Sequence, residues 1–157
     1  EQNGSTISDE SKTLAQEELS LLATIYKESA RKKAFHEDKL NVAVIDLKIA
    51  ALTESNQDKK LEKKDFQKLV TKILKNYQLE DAITNKQAKQ LVEFASKLSN
   101  SQLSSDKKLV KSLKALKQDI IGYIQINMLV NMLTYHIDII HGTILWFSHV
   151  ICIIMER

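Results

Sequence analysis

Apolar residues recur along this chain at the spacing of a helix, most regularly near its middle. Phe66, Leu69, Val70, Ile73, Leu74 and Tyr77 fall at i, i+3, i+4, i+7, i+8 and i+11. That spacing gathers them on one side of an amphipathic helix. After the segment QLEDAI, the residues Ala88, Leu91, Val92, Ala95 and Leu98 repeat the pattern. Asp65 is the candidate cap of the first run. Thr84 and Gln87 stand in the capping-box arrangement that opens the second. Together they predict a helical hairpin over residues 65–99. Upstream, Leu14, Leu21, Leu22, Ile25 and Tyr26 predict a helix reaching about Phe35, capped by Ser8 or Ser11 and basic toward its end. Leu40, Val44, Leu47 and Ala51 form the stripe of another helix, with Ile45, Ile49 and Leu52 beside it and Asp38 as its cap. NVAVIDLKIAAL also carries the β-branched Val42, Val44 and Ile49, but no second strand is available to pair with it, so the helix is preferred. Residues 54–60 read as a polar connection and residues 100–105 as a loop with serine caps. Leu109, Val110, Leu113, Leu116, Ile120 and Ile124 then open a further helix.

From residue 120 the pattern changes. The stretch IIGYIQINMLVNMLTYHIDIIHGTILWFSHVICIIM has 36 residues and one formal charge, Asp138. No lysine follows Lys117. Asn127, Asn131, Thr134, Asp138, His141 and Ser148 lie near one narrow stripe, and the remaining surface is apolar. A helix apolar over most of its circumference is usually buried. A straight helix of this length would be about 54 Å long, so a break is expected near His141, Gly142 and Thr143. Three readings are open: a bundle core or oligomer interface, a membrane segment, or a change of reading frame. Residues 139–155 give 17 positions without formal charge, the short limit for a span. Trp146 in mid-segment, together with His141, His149, Gly142 and Ser148, counts against a simple span. The chain thus divides into a flexible arm (1–10), an amphipathic helical domain (11–118) and an apolar helical segment (119–157) packing on that domain or on a membrane or partner.

Composition supports an all-α bundle of five to seven helices, with an apolar helix or helix pair at its C-terminal side. The chain has no proline and three glycines, which disfavours the tight turns of sheets. Residues 1–118 carry 22 basic and 17 acidic groups, whereas residues 119–157 carry one and three. The net charge of +3 is too small to imply nucleic acid. With one cysteine, Cys152, no internal disulfide forms. No signal peptide is visible, and the chain starts at Glu1 rather than Met, as either processing or trimming of a longer chain would leave it.

Two stretches carry a family resemblance. EELSLLATIYKES, and FQKLVTKILKNYQLEDAITNKQAKQLVEFASKLSNSQL with its Ile83, Thr84 and Gln87 turn and its Lys97, Leu98 and Leu103 ending, resemble a domain-of-unknown-function family of secreted or surface Firmicute proteins. The likeness covers residues of about 14–116, and Asn85 and Lys86 depart from the acidic pair of the family's turn. The resemblance implies an extracellular or cell-surface location and no particular chemistry.

Candidate chemistry is sparse. Asp138 and His141 stand at i, i+3 on one helix face, near His136 and His149, a spacing able to share a metal, but no HExxH or paired CxxC signature accompanies them. They read instead as the polar stripe of a buried or interfacial helix, and His36 as a surface loop residue. Cys152, between isoleucines, reads as a small hydrophobe. Glu17 and Glu18 are adjacent and point to different faces. No catalytic residue, cofactor site, metal site or small-molecule substrate is assigned, and the expectation is a non-enzymatic protein. Lys107, Lys108, Lys111, Lys114 and Lys117 recur on one helix face. Such a face is either solvated or set against anionic lipid or cell-wall polymer where it runs into an apolar segment. These lysines, with Trp146 and Phe147, are the candidate lipid or partner contacts. The leading expectation is a helical interaction protein, bacterial and secreted or surface-exposed, binding a protein partner or itself. The alternative is a cytoplasmic, membrane-associated module of the immunity-protein or surface-anchor kind, using the basic helix 107–117 and the apolar residues 120–155.

Overall fold

The computed structural model describes residues 9–32, 35–54 and 61–156. Among them are five α-helices: α1 (Asp9–Ser29), α2 (Glu37–Glu54), α3 (Lys63–Asn76), α4 (Asn85–Ser99) and α5 (Lys107–Met155). A short 3-10 helix, Gln102–Ser105, precedes α5. The chain is all-α, with the hairpin formed by α3 and α4. It divides into two compact units, Glu1–Gln118 and Asp119–Arg157.

The core of the first unit is organised around α2 and α4. The helix α2 packs on α3, α4 and the 3-10 turn, and α4 packs on α1, α2 and α3. Leu40, Val42, Ala43, Val44, Ile45, Leu47, Ala51 and Leu52 of α2 are all buried. This helix has no single apolar side because it is enclosed almost all round. The strand alternative for NVAVIDLKIAAL is therefore excluded. The amphipathic α3 and α4 each bury one stripe: Phe66, Val70, Ile73 and Leu74 from α3, and Leu91, Val92, Phe94, Ala95 and Leu98 from α4. From α1, Leu14 and Ile25 are buried.

Caps and turns account for the boundaries. Thr84 Oγ1 accepts from the Gln87 backbone N–H at 3.2 Å, and Gln87 Oε1 accepts from the Thr84 N–H at 2.9 Å. This is the capping box expected from the sequence. Before α3 the cap is Glu62 rather than Asp65; Asp65 sits in the first turn and accepts from the Glu62 N–H at 2.9 Å. The α3–α4 turn holds Gln78 at φ 56°, the left-handed conformation that lets the Leu79 N–H reach the Leu74 carbonyl at 2.8 Å. Leu79, Ala82 and Ile83 of this turn are buried.

Several expected boundaries shift. The first helix stops at Ser29, short of Phe35, where the Lys32 N–H closes a tighter turn on the Ser29 carbonyl at 2.9 Å; the buried Ser29 hydroxyl donates to the Ala82 carbonyl at 3.0 Å. Asp9 and Glu10, expected in a flexible arm, form the first turn of α1. Ser11 lies inside that helix; Ser8, the rest of the arm and the connection 55–60 lie outside the described residues. Asp38 is in the first turn of α2, one residue beyond its start at Glu37. Residues 102–105 form a 3-10 turn with Ser101 as its cap. The break expected at His141, Gly142 and Thr143 is absent. The helix continues because a single glycine costs about 1 kcal/mol relative to alanine without interrupting the ladder, and Thr143 Oγ1 donates to the Ile139 carbonyl at 2.9 Å.

Candidate functional site

The helix α5 begins where Asp106 Oδ1 accepts from the backbone N–H groups of Lys108 and Leu109, both at 3.0 Å. Its first turns belong to the first unit. Leu113 is buried there, and with Leu109 it lines a space bounded by Leu14, Leu52, Phe94 and Leu98. The predicted lysines are not equivalent. Lys107, Lys108, Lys111 and Lys114 are exposed. Lys117 is turned inward, with Nζ 2.6 Å from Asp46 Oδ1. Asp46 also accepts from the Tyr77 hydroxyl. Burial first, then the Asp46 hydrogen bond and charge, push the Tyr77 hydroxyl well above its ordinary pKa. Tyr26 is raised as well, by burial and then by the charges of Glu37 and Asp38.

Sequence reasoning missed this cluster. Its signal was available: Asp46 and Lys48 are the two charges inside the apolar run of α2, and each requires a partner. Lys48 Nζ meets Glu18 Oε1 at 2.8 Å. Gln87, besides its part in the cap, donates from Nε2 to Glu28 Oε2 at 2.5 Å. Glu17 is paired with Lys97 at 3.2 Å.

The second unit, residues 119–157, presents a different surface. Among the described residues, the large apolar side chains Ile126, Met128, Leu129, Val130, Met132, Leu133, Ile137, Ile140, Ile144, Leu145 and Ile151 are all more than half exposed. Trp146 and Phe147 are 61% and 55% exposed, with ring centroids 5.2 Å apart in an edge-to-face arrangement. The helix is long and apolar enough to cross a membrane, and no residue of its most apolar window is buried. His136, Asp138, His141 and His149 all lie on exposed turns of this helix. Among the described residues, no three His, Cys, Asp or Glu side chains gather to hold a metal ion. Cys152 is exposed, and His36 is exposed just before α2.

Residues 1–116 match the model of a family described as a protein of unknown function, DUF1002. The chain belongs to this family. No curated protein and no solved structure matches it. The DUF1002 region ends at residue 116, the last lysine is Lys117, and the first compact unit closes at Gln118. Family region and packed unit therefore coincide, and the exposed apolar residues follow them.

Proposed function

We propose that this chain is a non-enzymatic helical protein held at a membrane by the apolar part of α5, with the DUF1002 region displayed at the bilayer surface. The exposure of the apolar side chains of residues 120–155 carries this reading. Soluble monomers rarely expose contiguous apolar patches beyond about 300–600 Å². A helix apolar nearly all round belongs in a protein core or a bilayer. In this chain α2 is the core case, and α5 beyond residue 118 is left for the bilayer.

Dimensions agree with this. The 36 residues from 120 to 155 rise about 54 Å, against a hydrocarbon layer of about 30 Å and a whole bilayer of about 40–45 Å, and tilt takes up the difference. Asp138 is the nineteenth of the 36. With Asp138 at the bilayer centre, Trp146 stands about 12 Å away along the helix, toward the hydrocarbon boundary where tryptophan is enriched. Lys107, Lys108, Lys111 and Lys114 precede the apolar residues and suit anionic headgroups, each contributing about 1 kcal/mol near such a surface. Lys117 contributes less, being engaged by Asp46. This cluster of lysines beside a span favours the cytoplasmic side for the DUF1002 region, in place of the secreted location that the resemblance implies. Protease added to intact cells distinguishes the two sides.

Flotation on vesicles of phosphatidylcholine and phosphatidylglycerol tests the proposal. The full chain is expected to float and to stay bound at high salt, because insertion is driven by apolar burial rather than charge. A variant with Ile144→Arg and Ile151→Arg is expected to stay in the soluble fraction. Equal recovery of both proteins in the soluble fraction would overturn the reading.

A further inference from the structure

Within residues 119–157, seven side chains keep a regular rhythm. Asn127, Asn131, Thr134, Asp138, His141, Ser148 and Cys152 follow one another in steps of four and three, with Leu145 filling the one remaining place, while Gln125, His136, Thr143 and His149 stand off this line. That is a repeat of 3.5 residues, the period that keeps one line of a helix facing a partner helix through a left-handed supercoil. A helix lying flat on a bilayer instead carries a broad polar face rich in Lys and Arg. The line here is narrow and contains no lysine or arginine.

Two further observations point to a helix on this line. Thr134 Oγ1 is satisfied within its own helix, donating to the Val130 carbonyl at 2.9 Å. Among the described residues, no side-chain hydrogen bond involves Asn127, Asn131, Asp138 or His141. In hydrocarbon such groups turn toward another protein segment. Gly142 lies beside His141, and a Cβ added there would meet nothing within 4 Å. No contact inside the chain therefore calls for a glycine, whereas a small residue beside the line lets a second backbone come close.

We propose that the line of residues 127–152 packs against the same line of a second copy, side by side and parallel in the bilayer. The inference rests on the membrane reading above. A second copy enters the membrane in the same orientation, so identical layers meet. The asparagines are self-complementary, because a carboxamide both donates and accepts. Asp138 meets Asp138 of the second copy in the same layer, and the partner it takes is the His141 imidazole of that copy, one turn away.

Cys152, the only cysteine, lies on the line and reports on it. The full chain in vesicles is oxidised with copper phenanthroline, and disulfide-linked dimers are expected. Moving the thiol to the opposite side of the helix, with Cys152→Ser and Ile154→Cys together, is expected to reduce the linked fraction by about tenfold. Asn127→Leu with Asn131→Leu keeps the helix apolar, so flotation persists. Cross-linking through Cys152 is then expected to fall by about fivefold, the scale of interhelical hydrogen bonds in a bilayer. Flotation with equal cross-linking from both thiol positions, or with no loss in the leucine variant, overturns the pairing alone. Failure of the full chain to float overturns the pairing and the membrane reading together.

Discussion

Lys117 Nζ lies 2.6 Å from Asp46 Oδ1, joining the start of α5 to the middle of α2. Asp46 serves two donors, since it also accepts from the Tyr77 hydroxyl. Replacing it by alanine strands both in a partly buried setting. Asp46→Ala is expected to destabilise the first unit by about 1–3 kcal/mol. Lys117→Ala should cost about 0.2–1 kcal/mol, because the pair retains access to water. Urea unfolding of residues 1–118, followed by circular dichroism, measures both. Equal and negligible losses would show that the cluster does not hold α5 to α2.

The same cluster sets a dependence on alkaline pH. Burial and Asp46 raise the Tyr77 pKa in the folded state, and burial with nearby acidic groups raises that of Tyr26. The folded state therefore favours the neutral phenols. Their contribution is complete below about pH 10, where an unfolded tyrosine titrates, and is lost as pH rises further and only the unfolded chain ionises. For Tyr77 the slope is at most about 1.4 kcal/mol per pH unit, reduced by the access of water to the hydroxyl. Tyr77→Phe should flatten the decline in unfolding free energy between about pH 10 and 11.5 relative to the parent protein.

At the head of α4, Thr84→Ala removes a cap and is expected to cost about 1 kcal/mol. Gln87→Ala should cost more, about 1–3 kcal/mol, because Gln87 is 2% exposed and its carboxamide also binds Glu28. Denaturant midpoints of the two variants give the order directly, and a larger loss at Thr84 would contradict it.

The two all-round apolar helices should respond oppositely to truncation. Leu47, on α2, is 2% exposed, whereas Ile140, on α5, is 59% exposed. Leu47→Ala is expected to destabilise the first unit by about 2–5 kcal/mol. Ile140→Ala should leave its unfolding within about 0.5 kcal/mol of the parent. Thermal denaturation of the detergent-solubilised full chain compares them.

Legibility in the sequence followed periodicity. The α3–α4 hairpin was readable because Phe66, Val70, Ile73 and Leu74 mark one helix face and Thr84 with Gln87 announces the next helix. The extents of α1 and α3 were less readable, since the turn of the Lys32 N–H onto Ser29 and the exchange between Glu62 and Asp65 depend on local turn geometry. For α2 and α5, periodicity carried little information: an apolar circumference looks the same whether other helices or lipid will cover it. Of the site, the exposed lysines followed from spacing. The diversion of Lys117 to Asp46 did not, because it joins residues 71 positions apart in the chain. Exposure separates the two apolar helices, as Leu47 and Ile140 show.

Trp146 is the only tryptophan of the chain and lies in the segment assigned to the bilayer. Its fluorescence in the presence of vesicles tests the central claim without altering the protein. Membrane insertion predicts a blue-shifted emission, quenching by lipids brominated on their acyl chains, and little quenching by iodide in the water. An emission that stays red, is quenched by iodide and is indifferent to brominated lipid would contradict it.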